Sequence, residues 1–294
     1  MNFLKRFGMV ILINALIMIT VNVILNVLGV QPYLQAYGIN YASLAAFCLV
    51  WGFGGAFISL LLSKFLAKKM MGVQIIEPDA REPEAQWLIQ TVHRLARNAN
   101  LSKMPEVGIF DSPEMNAFAT GPSRSNSLVA VSTGLLQKMG KDEVEGVIAH
   151  EIAHVANGDM VTMTLVQGVV NAFGMFLARI IGHILSTQVE EKSAHTVRWV
   201  STLILDIVFN ILGMFVVAAF SRWREYRADA GGAALGGKDK MIRALQRLQN
   251  ETAPIPEEQP MATFQISDRK STFLDLLRTH PHLEKRIARL QQAS

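Results

Sequence analysis

The chain has 294 residues, half of them hydrophobic, a formal net charge of +4 and a single cysteine, Cys48. Mean hydropathy is positive, which is unusual for a soluble domain and ordinary for a membrane protein with a soluble part. One cysteine excludes an intrachain disulfide and a cysteine-rich metal site. The small basic excess flanks apolar runs instead of forming one patch, which argues for membrane topology and against nucleic acid as a partner.

The first apolar run, residues 9–30, is about the length a helix needs to cross a bilayer, and Lys5 and Arg6 precede it. A signal peptide is the competing reading, but its apolar core would be shorter and a small-residue cleavage site should follow. A second run, residues 41–65, follows instead. It contains Gly52, Gly54 and Gly55, which allow close helix contact, and ends among Lys64, Lys68 and Lys69. The connecting loop, residues 31–40, carries no charge, so the positive-inside rule puts both ends of this pair in the cytoplasm.

Residues 72–160 read as a soluble part. Residues 82–100 have helical periodicity, with Trp87, Leu88, Val92 and Leu95 on one side. Residues 107–110 and 127–132 look like short strands, and residues 142–157 like a helix with acidic residues in its first turn. Two less clean apolar runs follow at 161–185 and 197–220. They hold Asn171, Arg179, His183, Asp206 and Asn210, so a hairpin buried in protein competes with one that spans lipid. The tail reads as soluble and helical, with a Pro/Glu-rich break at 254–260. The expected division is an N-terminal transmembrane hairpin (1–71), a cytoplasmic domain (72–160), a second transmembrane or embedded hairpin (161–221) and a C-terminal cytoplasmic part (222–294). The fold class expected is mainly α with a small β-sheet.

The segment from Val147 to Val155 contains His150-Glu151-x-x-His154 inside an apolar helix. Histidines four apart project from one helix face, one turn apart, so both imidazoles can reach a single tetrahedral zinc. Glu151, beside the first of them, is placed to hold a water and take its proton. Ile148, Ala149, Ile152 and Ala153 make this helix too apolar for a solvated face that merely displays two histidines.

Zinc needs a third protein ligand and an open position. His93, His183, His195, His280 and His282 are candidates, but Glu225, just after the fourth run, is the best placed. If the third and fourth runs form an antiparallel hairpin centred near Lys192, His154 and Glu225 come to heights within roughly 10 Å of each other. Asp229 follows one turn later on the same face and can fix the tautomer of a ligand histidine. By spacing alone, a solvated mixed-charge helix explains both acids equally well. The same hairpin puts Arg179 and Asp206 at similar depth, where they are expected to pair; the alternative is that Arg179 snorkels to the outer interface.

These motifs together resemble the HtpX family of membrane-bound zinc metalloproteases of bacterial membrane-protein quality control and stress response, and more distantly the CAAX prenyl proteases. The resemblance spans essentially the whole chain. It rests on Asn116-Ala-Phe-Ala-Thr-Gly121, Leu128-Val-Ala-Val-Ser-Thr-Gly-Leu135 and His150-Glu-Ile-Ala-His-Val-Ala-Asn-Gly-Asp159. It continues in Glu225-Tyr-Arg-Ala-Asp229 and Thr279-His280-Pro281, with Arg286-Ile287 following. The segment 187–196 matches no pattern of that family.

The resemblance implies a zincin-like fold with one zinc ion per chain on His150, His154 and Glu225, Glu151 as general base, and Asp229 supporting a ligand. It further implies that Asn116 and strand 127–132 line the substrate cleft and that His280 steadies the oxyanion. An extended peptide pairing with the edge of that strand is consistent with this. Misfolded membrane proteins would be the substrates, cleaved from the cytoplasmic side of the bacterial inner membrane. Rival readings are a membrane protein with a regulatory zinc site and no peptidase activity, such as a transporter; a tethered soluble-domain enzyme; and a prenyl-protein peptidase of narrower specificity.

Overall fold

The computed structural model describes residues 38–252 and 278–292, together with 19, 20, 23, 27, 34 and 35. Most of the first apolar run and all of the 254–260 break lie outside the described residues. The chain divides into two compact units. One comprises residues 1–63 and 161–217, the other residues 64–160 and 218–294.

The first unit holds most of helix α1 (Tyr41–Met70), nearly all of α5 (Asp159–Ser186) and the first part of α6 (Glu191–Gly236), together with a two-residue ladder, β1 (Leu34–Gln35) and β2 (Gly38–Ile39). Asn40 caps α1, its Oδ1 accepting the Ser43 N–H at 3.0 Å. All three helices are long and apolar enough to cross a membrane. Only 11% of the apolar window of α5, and the same share of α6, is buried. Leu165, Val169 and Phe173 on α5, and Leu203, Ile207 and Ile211 on α6, are exposed. Among the described residues these apolar faces are uncovered, as faces turned to lipid are.

Small residues bring these helices together. A Cβ at Gly52 would lie 2.6 Å from the Ala172 backbone nitrogen, so only glycine permits this approach of α1 to α5. The expected ion pair is present: Arg179 Nη1 lies 3.6 Å from Asp206 Oδ1, and the guanidinium sits 5.4 Å from the Phe47 ring centre. Arg179 therefore turns toward its partner within the bundle, where lone charges are costly. The turn between α5 and α6 falls at residues 187–190, slightly before the Lys192 centre.

The second unit packs helices on a four-stranded sheet of order β3-β4-β6-β5, made of β3 (Gln74–Ile75), β4 (Glu106–Phe110), β5 (Ala117–Ser123) and β6 (Asn126–Ser132). β4 and β6 run parallel, and the other pairs are antiparallel. The 127–132 strand is therefore internal, paired on both sides, and cannot offer an edge to a peptide. Among the described residues the free edge on that side belongs to β5, a strand the sequence reading missed.

Helix α2 (Pro83–Asn98) lays Leu88, Val92 and Leu95 against Val129 and Val131 of β6 and Ile148 and Ile152 of α4 (Lys141–Asn157). The short α3 (Thr133–Lys138) follows β6, then α4; α7 (Lys238–Thr252) and α8 (Leu283–Gln292) complete the unit. Helix α6 continues unbroken to Gly236, so the boundary expected at 221/222 falls inside a helix. The units instead divide at 217/218 and at 63/64.

Candidate metal centre and peptidase cleft

Helix α4 is buried nearly all round, and its last turn ends at Gly158, whose φ of 71° lets the chain turn sharply into α5 at Asp159. On the side away from the sheet α4 meets the end of α6. A Cβ at Gly232 would come within 3.0 Å of the His150 backbone nitrogen, so this glycine sets how closely the two helices approach. That approach delivers Glu225 to the two histidines.

His150 Nε2 and His154 Nε2 lie 3.1 Å apart, and each is 3.3 Å from one oxygen of Glu225. Ligand atoms around a tetrahedral ion at zinc–nitrogen distances stand about 3.3 Å from one another. The three side chains are buried, and Glu225 Oε2 makes no hydrogen bond. A buried carboxylate oxygen without a donor, facing two imidazole nitrogens at that spacing, fits a bound cation.

Each histidine is held from behind. His150 Nδ1 is 3.0 Å from Asp229 Oδ1, and His154 Nδ1 is 2.6 Å from Asp159 Oδ2. Arg286 grips Asp229 with two hydrogen bonds, Nε to Oδ2 at 2.8 Å and Nη2 to Oδ1 at 2.6 Å. Arg227 Nη2 donates to Asp159 Oδ1 at 2.7 Å. The Nδ1–H of each ring is thus directed at a carboxylate, which leaves the Nε2 lone pairs facing each other and Glu225.

The electrostatics favour positive charge at this point. Burial pulls His154 down, yet its bonds to Asp159 and Glu225 push it up to about 9. His150 is raised in the same way, burial being outweighed by Asp229 and Glu225. Burial pushes the Glu225 carboxyl up, but the imidazoles of His150, His154 and His280 beside it hold it well below the usual carboxylate range. Asp229 is likewise lowered, Arg286 and His150 outweighing burial.

A cleft of about 200 Å³ opens beside these donors, and Asn116, Glu151 and His280 all line it. Met115, Leu135, Val147, Met241 and Leu245 give it an apolar wall. Glu151 makes no hydrogen bond within the described residues, so its carboxylate is available to the cleft. His280 Nδ1 is 3.0 Å from Glu225 Oε2 and its side chain is 64% exposed. Asn116 stands at the start of the edge strand β5, tied by its N–H to Ser132 Oγ at 3.0 Å and by its carbonyl to the Ser132 N–H at 2.8 Å.

All seven residues singled out from the sequence therefore gather here. Of the other histidines weighed as ligands, His93 meets the Pro105 carbonyl at 3.3 Å, while His183 and His195 lie in the other unit. Sequence reasoning missed the roles of Asp159, Arg227 and Arg286, although each sits in a motif already singled out. The signal was the pairing of a basic residue with an acid near each ligand.

The class that this fold and donor geometry define is the membrane metallopeptidase. Residues 82–294 match Peptidase family M48. The chain is 51% identical to a Protease HtpX homolog of Bacillus licheniformis, over 98% of this chain and 99% of that protein. It is 49% identical to a Protease HtpX homolog of Nitrosomonas europaea, over 99% of this chain and 100% of the other. The fold is similar to the crystal structure of S. mikatae Ste24p, with a TM-score of 0.65 at 18% identity. That match covers 98% of this chain, which spans 64% of the Ste24p chain.

This chain belongs to peptidase family M48 and is a membrane-bound metalloprotease. Membership in a peptidase family sets aside the reading of a membrane protein with a regulatory metal and no peptidase activity.

Proposed function

We propose that this protein is a zinc-dependent endopeptidase of the bacterial inner membrane that cleaves misfolded or damaged membrane proteins from the cytoplasmic side. The observation that carries the reading is the trio His150, His154 and Glu225, with donor atoms at 3.1–3.3 Å and a free Glu151 beside them. Two nitrogens and one carboxylate oxygen around one point suit zinc better than calcium or magnesium, which prefer oxygen ligands. The likeness to HtpX proteases supports the quality-control role. Lys64, Lys68 and Lys69 at the end of α1, with Lys5 and Arg6, support the cytoplasmic orientation. The first apolar run and α1 form one spanning hairpin in this reading, and α5 with the first part of α6 the second.

A zinc ion held by the trio would polarise the scissile carbonyl and make water a stronger acid near neutral pH. Glu151 accepts the proton of the attacking water on its carboxylate and returns it to the nitrogen of the leaving amine. Asp229 and Asp159 keep the Nδ1 proton of each ligand histidine in place while charge shifts. The substrate lies extended along β5, with Asn116 holding its main chain at the strand entrance. His280 donates to the developing oxyanion.

The experiment is cleavage of an unfolded membrane-protein substrate by the purified full chain with zinc, with Glu151→Gln as control. Glu151→Gln should retain stoichiometric metal and lose at least about 100-fold in kcat, the scale of general-base catalysis. His150→Ala should lose metal and activity together. Normal turnover by Glu151→Gln would show that the base is another group.

A further inference from the structure

The membrane unit contains a feature that peptide hydrolysis does not use. Near the α5–α6 turn is a cavity of about 350 Å³ lined by Arg179, His195, Arg198, Trp199, Thr202 and Asp206, all within that unit. Its neighbours along both helices are exposed apolar side chains, so this is a polar recess in a lipid-facing surface.

The charges in it do not cancel. Asp206 is taken up by Arg179, which lies at 3.6 Å. Arg179 Nε is buried and makes no hydrogen bond, so the guanidinium keeps an unused donor. Arg198 has no side-chain hydrogen bond or ion pair within the described residues, and His195 beside it is exposed. The recess thus offers one uncompensated guanidinium, that of Arg198, and the exposed imidazole of His195 one turn from it. Such a set binds a phosphate oxyanion, for which arginine forks are suited.

Depth identifies the source of that phosphate. Arg198 lies seven positions beyond the start of α6, about 10 Å along the helix, and Asp206 about 12 Å further on. Trp199, 64% exposed, has the amphipathic ring that sits at the headgroup level of membranes. The recess therefore runs from headgroup depth, at His195 and Arg198, down to the Arg179–Asp206 pair in the apolar layer.

The geometry points to a binding site for the phosphodiester of an anionic phospholipid, its headgroup between His195 and Arg198 and its upper chain beside Trp199. The bound lipid would lie against α6, its headgroup on His195 and Arg198 and its chains above the Arg179–Asp206 pair. This is independent of the metal centre.

The test uses the full chain, delipidated in detergent, titrated with phosphatidylglycerol or phosphatidylcholine and read by native mass spectrometry. Phosphatidylglycerol should bind one to a chain and be favoured over phosphatidylcholine. Arg198→Gln should lose about five- to tenfold in phosphatidylglycerol affinity, and His195→Gln with Arg198→Gln more, while Arg198→Lys restores most of it. Lys192→Gln at the exposed turn should leave affinity unchanged. Thermal unfolding without lipid, equal in wild type and Arg198→Gln, separates lost binding from lost fold. Equal phosphatidylglycerol affinity in wild type and the double variant would overturn the site. Full displacement of the lipid by an equimolar amount of inorganic phosphate would overturn the lipid as its occupant.

Discussion

Replacing Arg286 with methionine isolates what holds His150, one of the proposed metal ligands, from behind. Arg286 is 6% exposed and donates two hydrogen bonds to Asp229, itself 2% exposed. Methionine keeps the aliphatic stem and removes both donors. Asp229 then retains His150 Nδ1, 3.0 Å away, as its remaining partner. Stranding one member of a buried pair costs about 3–5 kcal/mol, and the surviving histidine contact places this case near 3. For a chain of this size that is a fall in Tm of roughly 6–12 °C. Loss of an outer partner also loosens the imidazole, weakening metal affinity about 10- to 100-fold. Thermal unfolding in detergent reads the first effect and competition with a chromophoric zinc chelator the second. Arg286→Lys, which keeps the charge but not the fork, should fall between. A methionine variant with wild-type Tm and zinc affinity would mean that Arg286 does not organise the site.

Three further outcomes follow from particular contacts. Gly232→Ala puts a Cβ 3.0 Å from the His150 nitrogen and 3.1 Å from its Cα, backbone atoms of a buried helix that give little; about 1–3 kcal/mol of stability should be lost in chemical unfolding, together with metal. Glu106 is held below its usual 4.5, because hydrogen bonds from Lys64 and Lys68 outweigh the upward push of burial. Its stabilising effect is complete above that value and fades as pH falls through the lowered one, so Tm of Glu106→Gln should fall less than that of wild type between about pH 6 and pH 3. Arg179→Asp and Asp206→Arg should each reduce membrane expression, and the double exchange should restore it; a double variant no better than the singles would dissolve the pair.

How much was legible in the sequence depends on the range of each interaction. The histidine pair needs only the helical repeat, so spacing alone predicts that His150 and His154 share one face. Glu225 needed one further assumption, that two apolar runs form an antiparallel hairpin, and the turn at residues 187–190 meets it within a few positions. Asp159, Arg227 and Arg286 depend on how α5, α6 and α8 rotate about their axes, which periodicity does not specify. The strand β5 was hidden because Gly121 and Pro122 interrupt its pattern. Proline is tolerated there because β5 is the edge and its missing N–H leaves no ladder partner unmet. The opposite error, taking residues 127–132 for an edge, ignored a signal that was present. Leu128-Val-Ala-Val131 is apolar without alternation, as a strand covered on both faces requires, and the structure buries it so.

The Gly158–Asp159 step carries more of the site than its size suggests. About 70 residues separate His154 from Glu225, and a flexible connection of that length would leave the third ligand poorly placed. Two long helices joined by a short turn leave few free positions in that connection. Gly158 closes α4 through its positive φ, and Arg124 Nη2 donates to the Asn157 carbonyl at 3.1 Å. The same bend carries Asp159 back to His154 Nδ1, and Arg227, two residues beyond Glu225, closes on Asp159 from α6. The residue that begins the return path is thus clamped by the helix that delivers the third ligand. Asp159 thus both orients the His154 imidazole and ties the start of α5 to Arg227, so a change at Asp159 disturbs both contacts.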